Sequence, residues 1–222
     1  SGKTPLSDGP WDSYPSWAPG DWAIAFTSSR EGIARRGIYV NQLDGSGDIR
    51  LTDPDGYASG GHWQPGGPAI AYAFLDGPGT NIYSMDHRGR PLGQITRGRE
   101  YKSRPSWHPR GTAVAFDSEK DIHTIQVDGS DERQLTKHPT PDWNPRWSPD
   151  GTEILFASDR DGSGELYVVG ADGRNIRRLT FGRFWTHQGH DWFDPDYPRS
   201  VSPVGRRATT WGWIKRLGKP NS

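Results

Sequence analysis

One short phrase keeps returning in this chain. Its fullest form is Trp147-Ser148-Pro149-Asp150-Gly151, followed closely by Ile154-Leu155-Phe156. It also stands as Trp17-Ala18-Pro19-Gly20, Trp63-Gln64-Pro65-Gly66 and Trp107-His108-Pro109-Arg110-Gly111, and more weakly as Trp192-Phe193-Asp194-Pro195. The Trp-to-Trp steps are 46, 44, 40 and 45 residues. A period near 44 implies an array of one supersecondary unit, each burying its apolar face against the next. Pro presets φ and Gly accepts positive φ, so the phrase is itself a tight turn between two strands.

Two intervals inside the unit are constant. Nine residues separate the Trp from a second-strand aromatic: Trp17 to Phe26, Trp63 to Tyr72, Trp107 to Phe116, Trp147 to Phe156. Fourteen separate a third-strand aliphatic from a Thr: Ile38 to Thr52, Ile82 to Thr96, Ile122 to Thr136, Leu166 to Thr180. Between these blocks the spacing varies from twelve (Phe26 to Ile38) to six (Phe116 to Ile122). The pattern predicts four strands per unit, a to d. Strand a ends at the Trp. Strand b is 23–27, 70–73, 113–116 or 154–157. Strand c is 37–42, 81–85, 121–126 or 165–169. Strand d ends in Leu-Thr or Ile-Thr. The c–d turns Asp44-Gly45, Arg88-Gly89, Asp128-Gly129 and Asp172-Gly173 carry the X-Gly signal of a hairpin. No stretch sustains a helical period. With 29 Gly and 19 Pro set among 11 Trp, 8 Tyr and 7 Phe, the composition is one of many turns between aromatic strands.

The run WSPDG, ILFASDRDG, ELYVVGADG, RRLT within residues 143–180 resembles the TolB-type, WD40-like (PD40) propeller repeat. The resemblance extends over about residues 10–195, and is looser in the second copy, where Gly66-Gly67 and Arg88 replace Asp-Gly elements. It implies a β-propeller and a periplasmic or secreted location. It does not imply an activity, since such propellers occur as binding scaffolds and as accessory domains of enzymes.

The ends set the expected blade number. His190-Asp191-Trp192 reads as a fifth strand a, with strand-like runs at 199–202 and 208–214. Leu6-Ser7-Asp8 precedes Trp17 much as Leu51-Thr52-Asp53 precedes Trp63. Residues 2–7 therefore read as a strand d without a blade of its own. The expectation is an all-β, five-bladed β-propeller of four-stranded antiparallel blades, forming a single domain over 1–222. Its blades are about 10–52, 53–96, 97–136, 137–180, and 181–222 plus 1–9, the last closed by the N-terminal strand, which removes bare edges. The alternatives are four blades with tails, or an open array completed by dimerisation.

Charge and composition narrow the function. Lys plus Arg and Asp plus Glu both number 27, so no general attraction to nucleic acid or anionic lipid is expected. Cys is absent, which removes disulfides and thiolate metal sites. No apolar run reaches the length of a membrane span. No cofactor fingerprint and no nucleophile elbow stand in the chain.

In an up-and-down meander the b–c and d–a loops share one face, and the variable lengths fall there. Loops that vary over a fixed frame are where binding residues collect. Each d–a loop carries an aromatic: Trp11, Tyr57, Tyr101, Trp143 and Trp185. They are either stacking platforms for a flat ligand or wedges between blades. His187 and His190 share the last d–a loop, as part of a metal or acid–base site or as seam-bonded imidazoles. The repeated Trp17, Trp63, Trp107, Trp147 and Trp192 are expected in the core. Asp159 to Glu165 imitates a calcium loop but is more simply a b–c hairpin. Arg30, Arg35 and Arg36 are expected in a solvated loop.

Two functions follow. One is a non-enzymatic binding or scaffold propeller using the b–c/d–a face, with Trp11, Tyr57, Tyr101, Trp143, Trp185, His187 and His190 as candidate contacts, a protein or glycan as ligand, and a monomer as the working form. No catalytic or metal-binding residue and no cofactor is assigned under it. The other is a small carbohydrate-active enzyme with carboxylates in the central funnel, drawn from Asp12, Asp142, Asp191 and Asp194.

Overall fold

The computed structural model describes residues 11–162, 164–181 and 190–192. They form four four-stranded antiparallel sheets, each in meander order. The first blade is β1 (Ser13–Trp17), β2 (Ala23–Ser28), β3 (Gly37–Gln42) and β4 (Gly47–Arg50). The second is β5 (Ala58–Trp63), β6 (Ala69–Leu75), β7 (Thr80–Asp86) and β8 (Pro91–Gln94). The third is β9 (Lys102–Trp107), β10 (Ala113–Ser118), β11 (Asp121–Gln126) and β12 (Arg133–Gln134). The fourth is β13 (Asp142–Trp147), β14 (Glu153–Ser158), β15 (Glu165–Gly170) and β16 (Arg177–Arg178). The inner strands β1, β5, β9 and β13 stand side by side in that order.

The expectation of five blades is therefore corrected: the described residues form four. The failing copy is the last. Nine residues beyond Trp192 stands Val201 instead of an aromatic, and no aliphatic–Thr pair fourteen apart follows it. In the other four copies those two intervals mark the second and fourth strands. The proposed closure, residues 2–7 against 208–214, lies outside the described residues.

The constant intervals have physical causes. The outer strands stop just short of their Leu-Thr or Ile-Thr pair, and that pair is a clip. Leu51, Ile95, Leu135 and Leu179 each donate a backbone N–H to the carbonyl of Ile38, Ile82, Ile122 or Leu166, all at 2.8 Å. The next residue's hydroxyl accepts from the same strand-c amide: Ile38 to Thr52 at 3.1 Å, Ile82 to Thr96 at 2.8 Å, Ile122 to Thr136 at 3.0 Å and Leu166 to Thr180 at 2.9 Å. A Thr-to-Val change at the clip keeps the shape and strands a buried amide. Thr136→Val is expected to cost about 1–3 kcal/mol, the desolvation of one unsatisfied donor. A urea titration that leaves the midpoint unmoved would show the clip to be idle.

The Trp interval belongs to packing between blades. In the first three blades strand b carries Ala at alternate positions, which leaves a trough. Into it goes the indole of the following blade. Trp63 packs on Ala23, Ala25 and Val40, and Trp107 on Ala69, Ala71 and Ala73. Trp147 packs on Ala115 and Leu135, and Trp192 on Ala157 and Val168. Trp63 and Trp107 are 3% and 4% exposed, but Trp17 is 49% exposed. The expectation that Trp17 is core is thus corrected. Each indole buries itself on the preceding blade, and among the described residues no blade precedes the first.

Candidate functional site

Each inner strand breaks its pairing once, three residues before the Trp. The register shifts between Ser13 and Ser16, between Ser59 and His62, opposite Ala115–Asp117, and between Trp143 and Arg146. The residue in the break has left-handed backbone: Tyr14 at φ 53°, Gly60 at 70°, Arg104 at 50° and Asn144 at 58°. Gly takes this conformation at little cost, whereas the other three are held in it by the bulge. Bulges re-aim side chains and recur near functional sites. Here they bend all four inner strands beside one central channel of about 820 Å³.

The channel wall includes Tyr14, Ser16, His62, Asn144, Arg146, His190 and Asp191, together with Asp12 and the a–b turn residues Pro19, Pro65, Pro109 and Pro149. With Ser106, which also lines the wall, five wall positions are the residue just before a repeated Trp: Ser16, His62, Ser106, Arg146 and Asp191. Ser16 and Ser106 are spent on structure, accepting from the amides of Trp63 (3.0 Å) and Trp147 (3.3 Å) in the next blade. Beside the wall, Asp117 accepts from Arg104 at 3.0 Å, from Ser103 Oγ at 2.8 Å and from the Asn144 amide at 3.4 Å. His190 is buried, and its Nε2 lies 2.7 Å from the Asn144 carbonyl, so Nε2 carries the proton.

Burial dominates the titration of these groups. It pulls His62 down to about 3, helped by Arg146, and His190 down to about 4, again with Arg146 in the same direction. Both imidazoles are neutral at physiological pH. Burial also raises Asp117 and Asp191, against the opposing pull of Arg104 and Arg146 respectively. Asp191 meets water in the channel, but protein surrounds it there. Between pH 6.5, the ordinary His value, and about 4, an unfolded chain binds a proton that folded His190 refuses. Its contribution to stability is therefore full above that window and falls as pH drops through it. His190→Gln is expected to flatten the stability-against-pH curve there relative to the unaltered protein. Asp117 and Asp191 act with the opposite sign but are common to both proteins. Equal slopes would mean that the ring is not held neutral.

The residues nominated from the sequence fall mostly elsewhere. Trp11 and Tyr101 are 67% and 66% exposed. Tyr57 is half-buried, with Arg36 Nη1 donating to its hydroxyl at 3.4 Å. Trp143 packs against the fourth blade's core of Leu155, Ala157, Leu166 and Val168. None of these four lines the channel, whereas His190 does. Trp185 and His187 lie outside the described residues. Among the carboxylates, Asp142 is wholly buried against Arg160 (2.8 Å) and Asp12 lies 3.3 Å from Arg30, so neither is free for acid–base work. Asp191 lines the channel, and Asp194 lies outside the described residues.

Two smaller expectations are settled here. Arg30 is not solvated: it pairs with Asp48 at 2.7 Å and lies 4.6 Å from the Tyr39 ring centre. Arg36 is bonded to Ser29 and Tyr57, and only Arg35 of the three extends well into water. In the calcium-like stretch, Asp161 accepts from Tyr167 and Arg178, and Glu165 from Thr180 and Arg178. It is a hairpin fastened by ion pairs. Among the described residues no cluster of His, Asp and Glu has the makings of a metal site. No helix among them is long and apolar enough to cross a membrane.

Sequence reasoning missed Tyr14, His62, Arg104, Asn144 and Arg146. The signal was present at the positions one and three before each Trp, where side chains differ from copy to copy inside a fixed frame.

Four meander sheets with their inner strands along a channel define a β-propeller. The kind of propeller is given by its repeats: the family described as PD40, TolB beta propeller domain, matches residues 117–196. Over that stretch the chain is similar to PD40, TolB-type β-propeller repeats. It is 27% identical over 190 residues to an uncharacterized protein of Agrobacterium fabrum, a match covering 79% of this chain and 64% of that one. A solved protein from Agrobacterium tumefaciens assigned as TolB superimposes with a TM-score of 0.65 at 24% identity, covering 74% of this chain and 63% of the other. TolB from Acinetobacter baumannii does so with a TM-score of 0.64 at 21% identity, covering 74% and 42%. The chain thus spans less than two thirds of the length of each, and at these identities the structural likeness concerns the fold alone.

Proposed function

We propose that this propeller is a non-enzymatic binding module whose central channel receives a ligand or a segment of a partner. One observation carries the reading. Six buried side-chain atoms among the described residues have no hydrogen-bond partner: Asp12 Oδ1, His62 Nδ1, Trp63 Nε1, Asn144 Oδ1, Trp147 Nε1 and His190 Nδ1. All six belong to residues that line the channel. Buried polar groups are nearly always satisfied, and a cluster of exceptions along one wall marks a place where partners arrive. The four recurrent bulges support the same place. The carboxylates of the carbohydrate-enzyme alternative that fall among the described residues are paired, apart from Asp191, and no observation favours that alternative.

The likeness to TolB proteins supports a periplasmic or secreted setting. The balanced charge speaks against nucleic acid as the partner. The working form is taken as a monomer.

A screen with indole ¹⁵N-labelled protein tests the channel. Neutral, cationic and anionic fragments and short peptides would be added singly. Ligands are expected to shift the Trp63 and Trp147 indole signals and to leave that of Trp11 in place. Hits that move Trp11 alone would return the site to the loop face. The absence of any hit would remove the channel reading altogether.

A further inference from the structure

Most partly buried arginines among the described residues have a carboxylate in contact; Arg36, which bonds Ser29 and Tyr57 instead, and Arg146 do not. Arg30 has Asp48 at 2.7 Å, Arg50 has Glu31 at 2.7 Å, Arg104 has Asp117 at 3.0 Å, Arg160 has Asp142 at 2.8 Å, and Arg178 has Glu165 at 3.0 Å. Each of these guanidiniums is at least partly withdrawn from water and has a carboxylate in contact. Arg146 is also partly withdrawn from water, on the channel wall, yet among the described residues no carboxylate lies within 4.0 Å of it. Its hydrogen bond goes from Nη1 to the carbonyl of Pro145, at 2.8 Å. A guanidinium has five N–H groups in a planar fork, so most of its donor capacity is unspent.

We infer that Arg146 anchors a carboxylate group of the ligand that enters the channel, an inference that rests on the binding role proposed above. Arg stays protonated in proteins, so the alternative of a neutral side chain is closed. Burial pulls its pKa down, with Asp191 and Asp117 opposing from a distance, the direction of a cation short of counter-charge. The fork matches a carboxylate in bidentate geometry, and such pairs are among the stronger hydrogen-bonded contacts available. The flanking His62 and His190 are neutral, so they offer polar contact without adding charge. Asp191 and Asp117 disfavour a doubly charged group such as a phosphate monoester. A single carboxylate is the better match.

Asp191 is then the competitor rather than the partner. Removing its charge leaves Arg146 to the ligand, so Asp191→Asn is expected to tighten carboxylate binding several-fold. If Asp191 served as the structural counter-ion, the same change would destabilise the fold and leave affinity unchanged.

Two sources of carboxylate are separated by paired probes in calorimetry. One pair is a galacturonate trisaccharide and its methyl ester. The other is a capped Gly-Glu-Gly peptide and its Gln counterpart. At least one acid is expected to bind about tenfold more tightly than its neutral twin, and the pair that does so identifies the source. Arg146→Gln should bring the acid to the level of the twin, and Arg146→Lys should fall between, having charge without the fork. If Arg146→Gln fails to fold, the acid–neutral comparison on the unaltered protein decides. Equal affinity within both pairs would overturn the inference. So would failure of every acid at about 10 mM while neutral or cationic fragments shift the Trp63 and Trp147 signals, and the channel would then remain a binding site for another chemistry.

Discussion

Asp142→Ala is expected to lower stability by about 3–5 kcal/mol, the usual consequence of removing one member of a buried ion pair. Asp142 is 0% exposed, and both its oxygens accept from Arg160 Nη2, at 3.0 and 2.8 Å. The Arg160 fork is fixed from the other side by Ser158 Oγ at 3.0 Å and lies 4.7 Å from the Tyr167 ring centre. It therefore cannot swing out to water without giving up those contacts. The Asp142 amide also donates to the Lys120 carbonyl at 2.7 Å, so the residue sits at the seam of the third and fourth blades. The first blade repeats the arrangement with Asp12, Ser28 and Arg30 above Phe26 and Tyr39. There Arg30 has a second carboxylate, Asp48 at 2.7 Å, and Asp12→Ala is expected to cost distinctly less. The double variant Asp142→Ala with Arg160→Met should recover most of the loss, because the cost lies in the stranded cation. Urea titration of the four proteins checks the set. A change below about 1 kcal/mol for Asp142→Ala would show the pair to be a surface-like contact.

The fold was legible where chemistry repeats. Pro149-Asp150-Gly151, the Trp-to-aromatic interval and the Leu-Thr clips are local requirements, and local requirements recur with the unit. The blade number was less legible, because Trp192 satisfies one requirement of a blade while the residues after it lack the others. The exposure of Trp17 was illegible for a related reason. Its sequence surroundings match those of Trp107, and only the presence of a preceding blade distinguishes them. The channel was nearly hidden. Tyr14 and Asn144 reach it through a bulge with left-handed backbone, which no composition or period announces in residues other than Gly. Loop length pointed to the b–c/d–a face, whereas the groups with unmet hydrogen-bonding capacity gather on the inner strands. His190 was found because a loop His is conspicuous. His62 and Arg146 were passed over because they stand inside strands, where a polar residue is ordinarily taken to face water.

Trp107→Ala is expected to cost about 3–5 kcal/mol, as large aromatic truncations in packed cores do. Trp107 is 4% exposed and lies between Ala69, Ala71 and Ala73 of the second blade and Val114 and Phe116 of the third. Burying an indole removes about 150–250 Å² from water. At about 25 cal/mol per Å² that is roughly 4–6 kcal/mol, an upper figure because unfolded chains already shelter part of it. Its Nε1 donates to the His62 carbonyl at 3.0 Å, so the ring also fastens the inner strand β5 to β9. The Ala trough cannot close on a missing indole, since its walls are the backbones of two blades, and a cavity remains. Trp107→Phe should lie between, keeping much of the apolar area and losing the hydrogen bond. Trp17→Ala is the control. The same residue type at the same place in its repeat is 49% exposed, and its loss should be well under half that of Trp107. For a chain of this length the Trp107→Ala loss corresponds to a drop in melting temperature of roughly 6–20 °C. Equal losses at Trp17 and Trp107 would mean that the indoles act within their own blades. A Trp107 loss below about 1 kcal/mol would mean that the seam between blades is not what holds the blades together.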